Sequence, residues 1–395
     1  MFLAIFWCSI ALIIYTYLVF PLLVMVRGKL FPKPLASADA QPTVSFIIAA
    51  HNEERSIGDK IENLLQMDYP KDCLEVIIAS DGSSDRTNEI VERYSDRNVK
   101  LLALPRAGKA AALNSAISTC TNEILVFSDA NSMFATDALR HLVGPFADTK
   151  VGGVAGNQVY RNDAPASVTD MGERGYWNFD RRMKYFQSQA GNVISATGAI
   201  YAIRRSLFRR VPEGVTDDFI TSTGVIELGA RLVFEPKAIA FEPVAQKSSA
   251  EFGRKVRVIT RGLRGVWLRY RLLNPFRYGF YSIQLFSHKL LRRLMFVPLI
   301  LVLLSSIALF SEGMFFRLAT ICQLAFYGLA LLSVMVRNHP IGRHKLVSLP
   351  AFFVMVNAAC AVAVYKSLQG ERVVLWEPHR TPAHSSSGEQ RATTN

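Results

Sequence analysis

Five short stretches of this 395-residue chain carry side chains that could do chemistry together. Asp129-Ala130-Asn131 follows the apolar run Ile124-Leu125-Val126-Phe127. If the strand continues through them, both side chains share a face and could hold a hard divalent cation, Mg²⁺ or Mn²⁺, through oxygen. The same spacing equally suits an Asx turn that closes the strand. Asp217-Asp218, after Thr216, offers a carboxylate able to take a proton as a general base; two adjacent acids also suit an ordinary helix start. Asp81, just before Gly82, can accept from a ligand N–H or can be a turn residue. Lys109 opens a helical pattern, where it adds a point charge to a terminus that already favours anions; its plainer reading is a solvated surface lysine. Thr197-Gly198 gives room for close backbone approach of a ligand, or a tight turn.

The elements that must position these residues can be read from periodicity. Thr43 to Ala50, Leu74 to Ser80, Val99 to Leu104 and Glu123 to Ser128 read as buried strands. Ser56 to Met67, Thr87 to Tyr94 and Lys109 to Cys120 carry helical spacing between them. The alternation predicts an α/β fold with a mostly parallel sheet and flanking helices, whose ligands bind at the carboxyl ends of the strands. His51-Asn52-Glu53, Asp81 to Asp85 and Asp129 to Asn131 all fall at such ends. A second half, from about 151 to 244, adds Gly-rich loops and short strands such as Arg231 to Phe234 and Ala238 to Phe241.

Taken in order, Val44 to Glu54, Asp81-Gly82-Ser83-Ser84-Asp85-Arg86-Thr87, Gly108-Lys109-Ala110-Ala111-Ala112-Leu113-Asn114 and Ser128-Asp129-Ala130-Asn131 resemble the family 2 glycosyltransferases of the GT-A fold. The likeness is to the membrane-bound poly-N-acetylglucosamine, cellulose and hyaluronan synthase-like group. It implies that Asp81 meets the uracil of a UDP-sugar, that Ala50, His51, Asn52 and Glu53 line the nucleotide pocket with Gly82, and that Lys109, Asn114 and Asp129 face the donor. Asp129 and Asn131 would hold the metal beside the diphosphate. Thr216-Asp217-Asp218 resembles the family's Thr-Glu-Asp triplet, with Asp218 at the base position. Gly191 to Arg205 resembles the acceptor-side loop and strand, which puts Thr197 and Gly198 against the acceptor.

From Phe252 to Trp267 the sequence places Arg254, Arg257, Arg261 and Arg264 along one stripe, as in an interfacial amphipathic helix. Processive relatives carry Gln-x-x-Arg-Trp in this region. Here Lys255-Val256-Arg257-Val258-Ile259 stands instead, which weakens a processive reading. Arg257 and Arg261 remain candidates for the donor diphosphate, and lipid headgroups are the other partner for the stripe.

The formal net charge is +13, with five cysteines. The basic residues gather around Arg204 to Arg210 and Arg254 to Arg293, beside apolar runs, so membrane lipids and phosphorylated substrates are expected rather than nucleic acid. The cysteines form no C-x-x-C pair, and neither a disulfide framework nor a zinc site is expected.

Residues 1–26 are uncharged and read as a retained transmembrane anchor. Arg27, Lys29 and Lys33 follow, so the positive-inside rule puts the middle of the chain in the cytoplasm. The expected order is a linker over 27–42, a catalytic domain over 43–250, amphipathic interfacial helices over 251–293, transmembrane helices over 294–368 and a polar tail over 369–395. Three late uncharged runs, Leu294 to Phe310, Leu318 to Val336 and Leu346 to Tyr365, have span-like length. Four full spans from an external N-terminus would leave the C-terminus outside, against the preference of Lys366, Arg372 and Arg380, so one run is expected to be interfacial or re-entrant.

The sum is an integral protein of a bacterial-type inner or plasma membrane, moving a hexose or N-acetylhexosamine from a UDP-sugar to a saccharide or lipid-linked acceptor with inversion. Export of a polymer would call for additional subunits, because so few helices do not enclose a wide channel. Two alternatives stand beside it: a polyprenyl-phosphate sugar synthase of the same fold, and a non-catalytic nucleotide-binding scaffold or transport protein. The absence of charge from the late runs argues against transport.

Overall fold

The computed structural model describes residues 1–161, 168–243, 249–336 and 344–371. The Trp-containing segment Val373 to Pro378 and the tail from Thr381, expected to be disordered, lie outside the described residues, as do Arg372 and Arg380.

Eight strands form one sheet: β1 (Val44–Ala50), β2 (Leu74–Asp81), β3 (Val99–Leu104), β4 (Ile124–Phe127), β5 (Met133–Phe134), β6 (Val151–Arg161), β7 (Tyr201–Arg204) and β8 (Arg231–Pro243). Their order is β3-β2-β1-β4-β7-β6-β8-β5. The first four strands run parallel, joined by helical crossovers. β7 then runs antiparallel to both β4 and β6. The two short strands read between 231 and 241 are one strand, β8, whose register against β6 shifts at Ala155/Asn157.

Side chains of β1 alternate between two cores, as a strand covered on both faces requires. Phe46 and Ile48 join Ile57, Ile61 and Leu64 of helix Ile57–Leu65 on one side. Ile47 and Ala49 join Leu113, Ala116 and Ile117 of helix Lys109–Thr119 on the other. From β1 the chain winds outward one way through β2 and β3, then returns to the opposite flank as β4, leaving a crevice at the carboxyl ends of β1 and β4.

Only five residues separate β4 from β5, which lies four places away in the sheet order. A flat sheet would put those strands about 19 Å apart at roughly 4.8 Å per neighbour. The linker does not run fully extended, since Ser132 donates from its amide to the Asp129 carbonyl at 3.2 Å. The sheet therefore curls, carrying β8 and β5 round towards the end of β4.

Among the described residues, three helices are long and apolar enough to cross a membrane: Phe2–Leu30, Met314–Met335 and Leu346–Leu368. The run from Leu294 departs from a straight span. Phe280–Leu294 and Phe296–Ala308 form a pair bent by 52°, and the thirteen residues of the second segment reach only about 20 Å. Residues Tyr15–Val19 of the first helix take a π turn just before Pro21, where the imino ring lacks an N–H and crowds the preceding turn. The basic helix Ser249–Leu268 does not lie bare on lipid: Val256 and Ile259 pack on Ala359 and Ala363 of the last helix, and Val266 joins the domain core.

The linker from the first helix is held along its length. Lys33 donates its amide to the Gln189 carbonyl at 2.8 Å, and Ala38 to Gly144 at 3.4 Å. Arg231 reaches the carbonyls of Lys33 and Pro34 at 3.2 and 3.3 Å, and Tyr69 donates to Pro42 at 2.5 Å. Arg231→Ala should release this segment at a cost of about 1 kcal/mol. Proteinase K cleavage within residues 31–42 in detergent-solubilised protein should then quicken several-fold, and unchanged protection would show that the guanidinium does not hold it.

Candidate active site

The crevice is built from loops stapled to one another. Asn52, in a left-handed conformation with φ of 55°, donates its amide to Ser83 Oγ at 3.1 Å, while its Oδ1 accepts from Ser84 N at 2.7 Å. Glu53 N donates to Thr87 Oγ1 at 2.8 Å, and one imidazole nitrogen of His51, Nδ1, lies 2.9 Å from the Asp81 carbonyl. Burial, then the charge of Arg106, lowers the pKa of His51, which keeps the ring neutral near pH 7. Ala50 is buried at the end of β1.

Asp81, 1% exposed, is committed to the loop after β3. Its Oδ1 accepts from Ala107 N at 2.7 Å and Gly108 N at 2.9 Å, and its Oδ2 from Arg106 Nη1 at 2.8 Å. The four acceptor positions of a carboxylate are thereby largely used, and a nucleobase would have to share them. Gly82 makes this possible: its φ is +63°, and a Cβ there would lie 2.8 Å from the Arg106 backbone nitrogen.

Gly108 leads into Lys109, whose Nζ stands 2.7 Å from Asp129 Oδ1 and 3.2 Å from Asp217 Oδ2. Burial works against the ammonium, but Asp129 and Asp217 outweigh it and raise the pKa of Lys109. Asp217 and Asp218 open helix Asp217–Glu227, as the helix-start reading expects, and Lys109 faces them. Burial raises the carboxyl of Asp218, the neighbouring Asp217 raises it further, and Lys109 and Lys289 pull it back, leaving it at about 6. Lys289 arrives from helix Phe280–Leu294 and lies over the Phe219 ring at 5.6 Å. Arg261 donates from Nε to the Val215 carbonyl at 3.0 Å and feels both Asp217 and Asp218, with Arg257 beside it.

The segment Asp129 to Ser132 is a turn, not a continuation of β4, so the shared-face argument for Asp129 and Asn131 gives way to turn geometry. Asn131 is exposed. Asp129 is about a third open, with Oδ2 only 2.9 Å from where a Gly198 Cβ would sit. What approaches Gly198 is thus the Asp129 carboxylate. β7 runs antiparallel to β4 and delivers Thr197 and Gly198 to this end; Thr197 Oγ1 is buried without a hydrogen-bond partner. Asn114 points elsewhere: its Oδ1 accepts from Val211 N and its Nδ2 donates to Val211 O, both at 2.9 Å. It pins the loop leading to Asp217 instead of meeting a donor.

Sequence reading missed Lys60. Its side chain is fully buried, and Nζ donates to Ser128 Oγ at 2.8 Å and to the Ser132 carbonyl, while lying 4.1 Å from the Phe134 ring centroid. Burial lowers its pKa to about 7, against the charges of Asp129 and Glu242. Glu242, brought round on β8, accepts from Ser132 Oγ at 2.7 Å, and its carboxyl is raised by burial and by Asp129. The signal was present, because Ile57, Lys60, Ile61 and Leu64 share one helix face.

Among the described residues no group of three or more His, Cys, Asp or Glu side chains could hold a metal alone. The partly open carboxylate of Asp129 and the exposed amide of Asn131 are a fitting partial set for Mg²⁺ or Mn²⁺, which complete their oxygen shells with substrate phosphates.

Residues 45–211 match the family described as Glycosyl transferase family 2. A Bacillus subtilis protein named "Probable glycosyltransferase YdaM" is 30% identical over 234 residues, covering 55% of this chain and 54% of its own. Staphylococcus aureus poly-beta-1,6-N-acetyl-D-glucosamine synthase is 28% identical over 239 residues, covering 59% of this chain and 57% of its own. The chain therefore spans about half the length of these relatives. Among solved structures, a Pyrobaculum calidifontis mannosyltransferase in complex with GDP-Man and Mn²⁺ aligns with a TM-score of 0.70 at 24% identity, over 94% of this chain and 100% of that one. That likeness speaks to the fold: the curled α/β sheet with flanking helices is the GT-A arrangement.

Lys109→Met leaves Asp129, Asp217 and Asp218 uncompensated. It should cost roughly 2 to 3 kcal/mol at pH 7.5, below the fully buried range because Asp129 is partly solvated. The deficit should shrink towards pH 5 as the crowded acids take up protons, and chemical denaturation at the two pH values reads the difference.

Proposed function

We propose, from the match of residues 45–211 to Glycosyl transferase family 2, that the protein is a membrane-bound, inverting transferase moving a hexose or N-acetylhexosamine from a UDP-sugar to an acceptor hydroxyl. The observation that carries the reading is the bridge by which Lys109 joins Asp129 to Asp217, next to an Asp218 whose carboxyl titrates near 6. A side chain so tuned is ionised at neutral pH yet basic enough to receive a proton.

In this reading the acceptor oxygen attacks the anomeric carbon from the face opposite the diphosphate, and Asp218 takes its proton. Lys109 and Arg261 offset the charge that gathers on the leaving group. Asp129 and Asn131 would hold Mg²⁺ or Mn²⁺, which when bound supplies Lewis-acid stabilisation of that diphosphate. The mannosyltransferase of like fold was solved with GDP-Man and Mn²⁺, which supports a nucleotide-diphosphate sugar and the ion, while the uridine rests on the motif resemblance. The staphylococcal synthase, named for an N-acetylglucosamine polymer, supports an N-acetylhexosamine. The acceptor is a saccharide or a lipid-linked hydroxyl, and the helices Phe2–Leu30, Met314–Met335 and Leu346–Leu368 fit an integral protein with its cleft on the cytoplasmic side, where Arg27, Lys29 and Lys33 follow the first helix.

Membranes containing the protein, given UDP-sugars and Mn²⁺, should release UDP. Asp218→Asn should lower turnover by about 10³-fold or more while leaving donor binding near wild type, and Asp129→Ala should weaken donor and metal together. No turnover with any nucleotide sugar would end the proposal in favour of a binding scaffold, and labelled sugar extracting into organic solvent would favour a lipid-phosphate acceptor.

The acid limb of kcat/KM reports the free enzyme. Because the pKa of Asp218 is raised, its proton is held at low pH and lost as pH rises. Activity should climb with unit slope to an inflection near 6 and level off above it, measured by UDP release between pH 4.5 and 8.

A further inference from the structure

Two basic runs that lie far apart in the sequence meet in space. Arg209 and Arg210, after β7, and Arg269, Arg271 and Arg277, beyond the basic helix, line one cavity of about 560 Å³ with Glu227. The cavity runs along helix Asp217–Glu227 from Ile220 through Gly224 to Glu227, beyond the first turn that carries Asp217 and Asp218, with its far margin about 15 Å from them.

Several arginines elsewhere on the domain have carboxylates of their own, Arg86 with Glu54, Arg97 with Glu62 and Arg204 with Glu123, and others, such as Arg205 and Arg231, are taken up by backbone carbonyls. Here Glu227 is taken by Arg269, which also donates to the Ile220 carbonyl at 3.3 Å. Among the described residues, Arg209 donates only to the adjacent Phe208 carbonyl at 3.0 Å, Arg277 lies 5.4 Å from the Tyr278 ring centroid, and Arg271 bonds to Tyr270. Five guanidiniums thus share one carboxylate.

Such crowding is self-repulsive until an anion enters. Guanidinium forks match the oxygens of phosphate in a way that isolated ammonium groups do not. The volume is that of a small-molecule site, much larger than one phosphate needs. The adjoining surface is apolar: Trp267 is 78% exposed, Tyr270 60% and Phe276 98%. Tryptophan and tyrosine side chains of this kind suit the headgroup level of a bilayer. A few residues later the chain enters the bent pair Phe280–Leu294 and Phe296–Ala308.

We propose that this arginine cavity is a second binding site, separate from the catalytic crevice, for a phosphate-bearing anion. Two sources share that chemistry, the headgroup of an anionic membrane lipid and a soluble phosphate ester, and the rim of exposed aromatics fits the lipid.

The test uses the full chain, purified in a neutral detergent with EDTA present so that metal-dependent donor binding is silent. Thermal unfolding is followed against dihexanoyl phosphatidylglycerol, dihexanoyl phosphatidylcholine and glycerol phosphate at fixed ionic strength, for wild type and for R210Q/R271Q and R209Q/R277Q. Wild type should gain a saturable upward shift with phosphatidylglycerol, and the half-saturating concentration should rise at least about tenfold in each double variant. Phosphatidylcholine, with the same chains and no net charge, should give no such difference. Half-saturation at lower concentration for phosphatidylglycerol assigns the lipid source, and the reverse assigns a soluble ester. Titrations of wild type and both variants that superpose for every anion would overturn the site.

Discussion

Lys109 is the cation on which the crevice depends. Three carboxylates, those of Asp129, Asp217 and Asp218, converge from loops nearly ninety residues apart in the chain, and unit charges a few ångströms apart in a partly buried crevice repel strongly. One ammonium touching two of them, at 2.7 and 3.2 Å, lets the group assemble before any ligand arrives. Its position is not independent of the nucleotide side, because Gly108 is held by Asp81. The aspartate that the family resemblance assigns to the base and the aspartates assigned to metal and proton are therefore linked through two consecutive residues.

The scaffold explains why the bridge can form. Parallel strands β1, β2 and β4 end at one edge, antiparallel β7 returns Gly198 to the same edge, and the curl of the sheet carries Glu242 behind the Asp129 turn. Lys60 then ties the turn down at both ends, at Ser128 and Ser132. A buried cation of this kind needs its polar partners, and the local acids, Asp129 and Glu242, oppose the loss of its charge.

Much of this was legible in the residues. β3 is bounded by Val99 and Leu104 as periodicity predicts, β1 and β2 differ by one residue at one end, β4 is shorter by one residue at each end, and Lys109 does open a helix. These elements are short, strongly apolar and punctuated by polar turns, so local pattern and tertiary context agree. The misses have a common cause, which is that a side chain's partner lies far off in sequence. Asn114 reads as a motif residue, yet its amide is spent on Val211, ninety-seven positions on. Asp81 reads as a ligand acceptor, yet Arg106 and the next two amides reach it first. Helix Ser249–Leu268 has the composition of an interfacial helix, and only the presence of Ala359 and Ala363 turns its apolar face inward. Lys60 was readable but overlooked, since a lysine on the apolar face of a helix is itself a report of a buried polar partner.

The first helix has a geometric corollary. Its twenty-nine residues extend about 43 Å, against roughly 30 Å for the hydrocarbon of a bilayer. The surplus is not loose: Phe20 and Val24 pack on Met183 of helix Val168–Gln189, and the linker beyond is fastened by Arg231 and Tyr69. The helix thus acts as a measuring post. Under the proposed function it would fix the altitude of the crevice over the lipid surface, and an acceptor would be selected by how far its reactive hydroxyl stands off the membrane as well as by its chemistry.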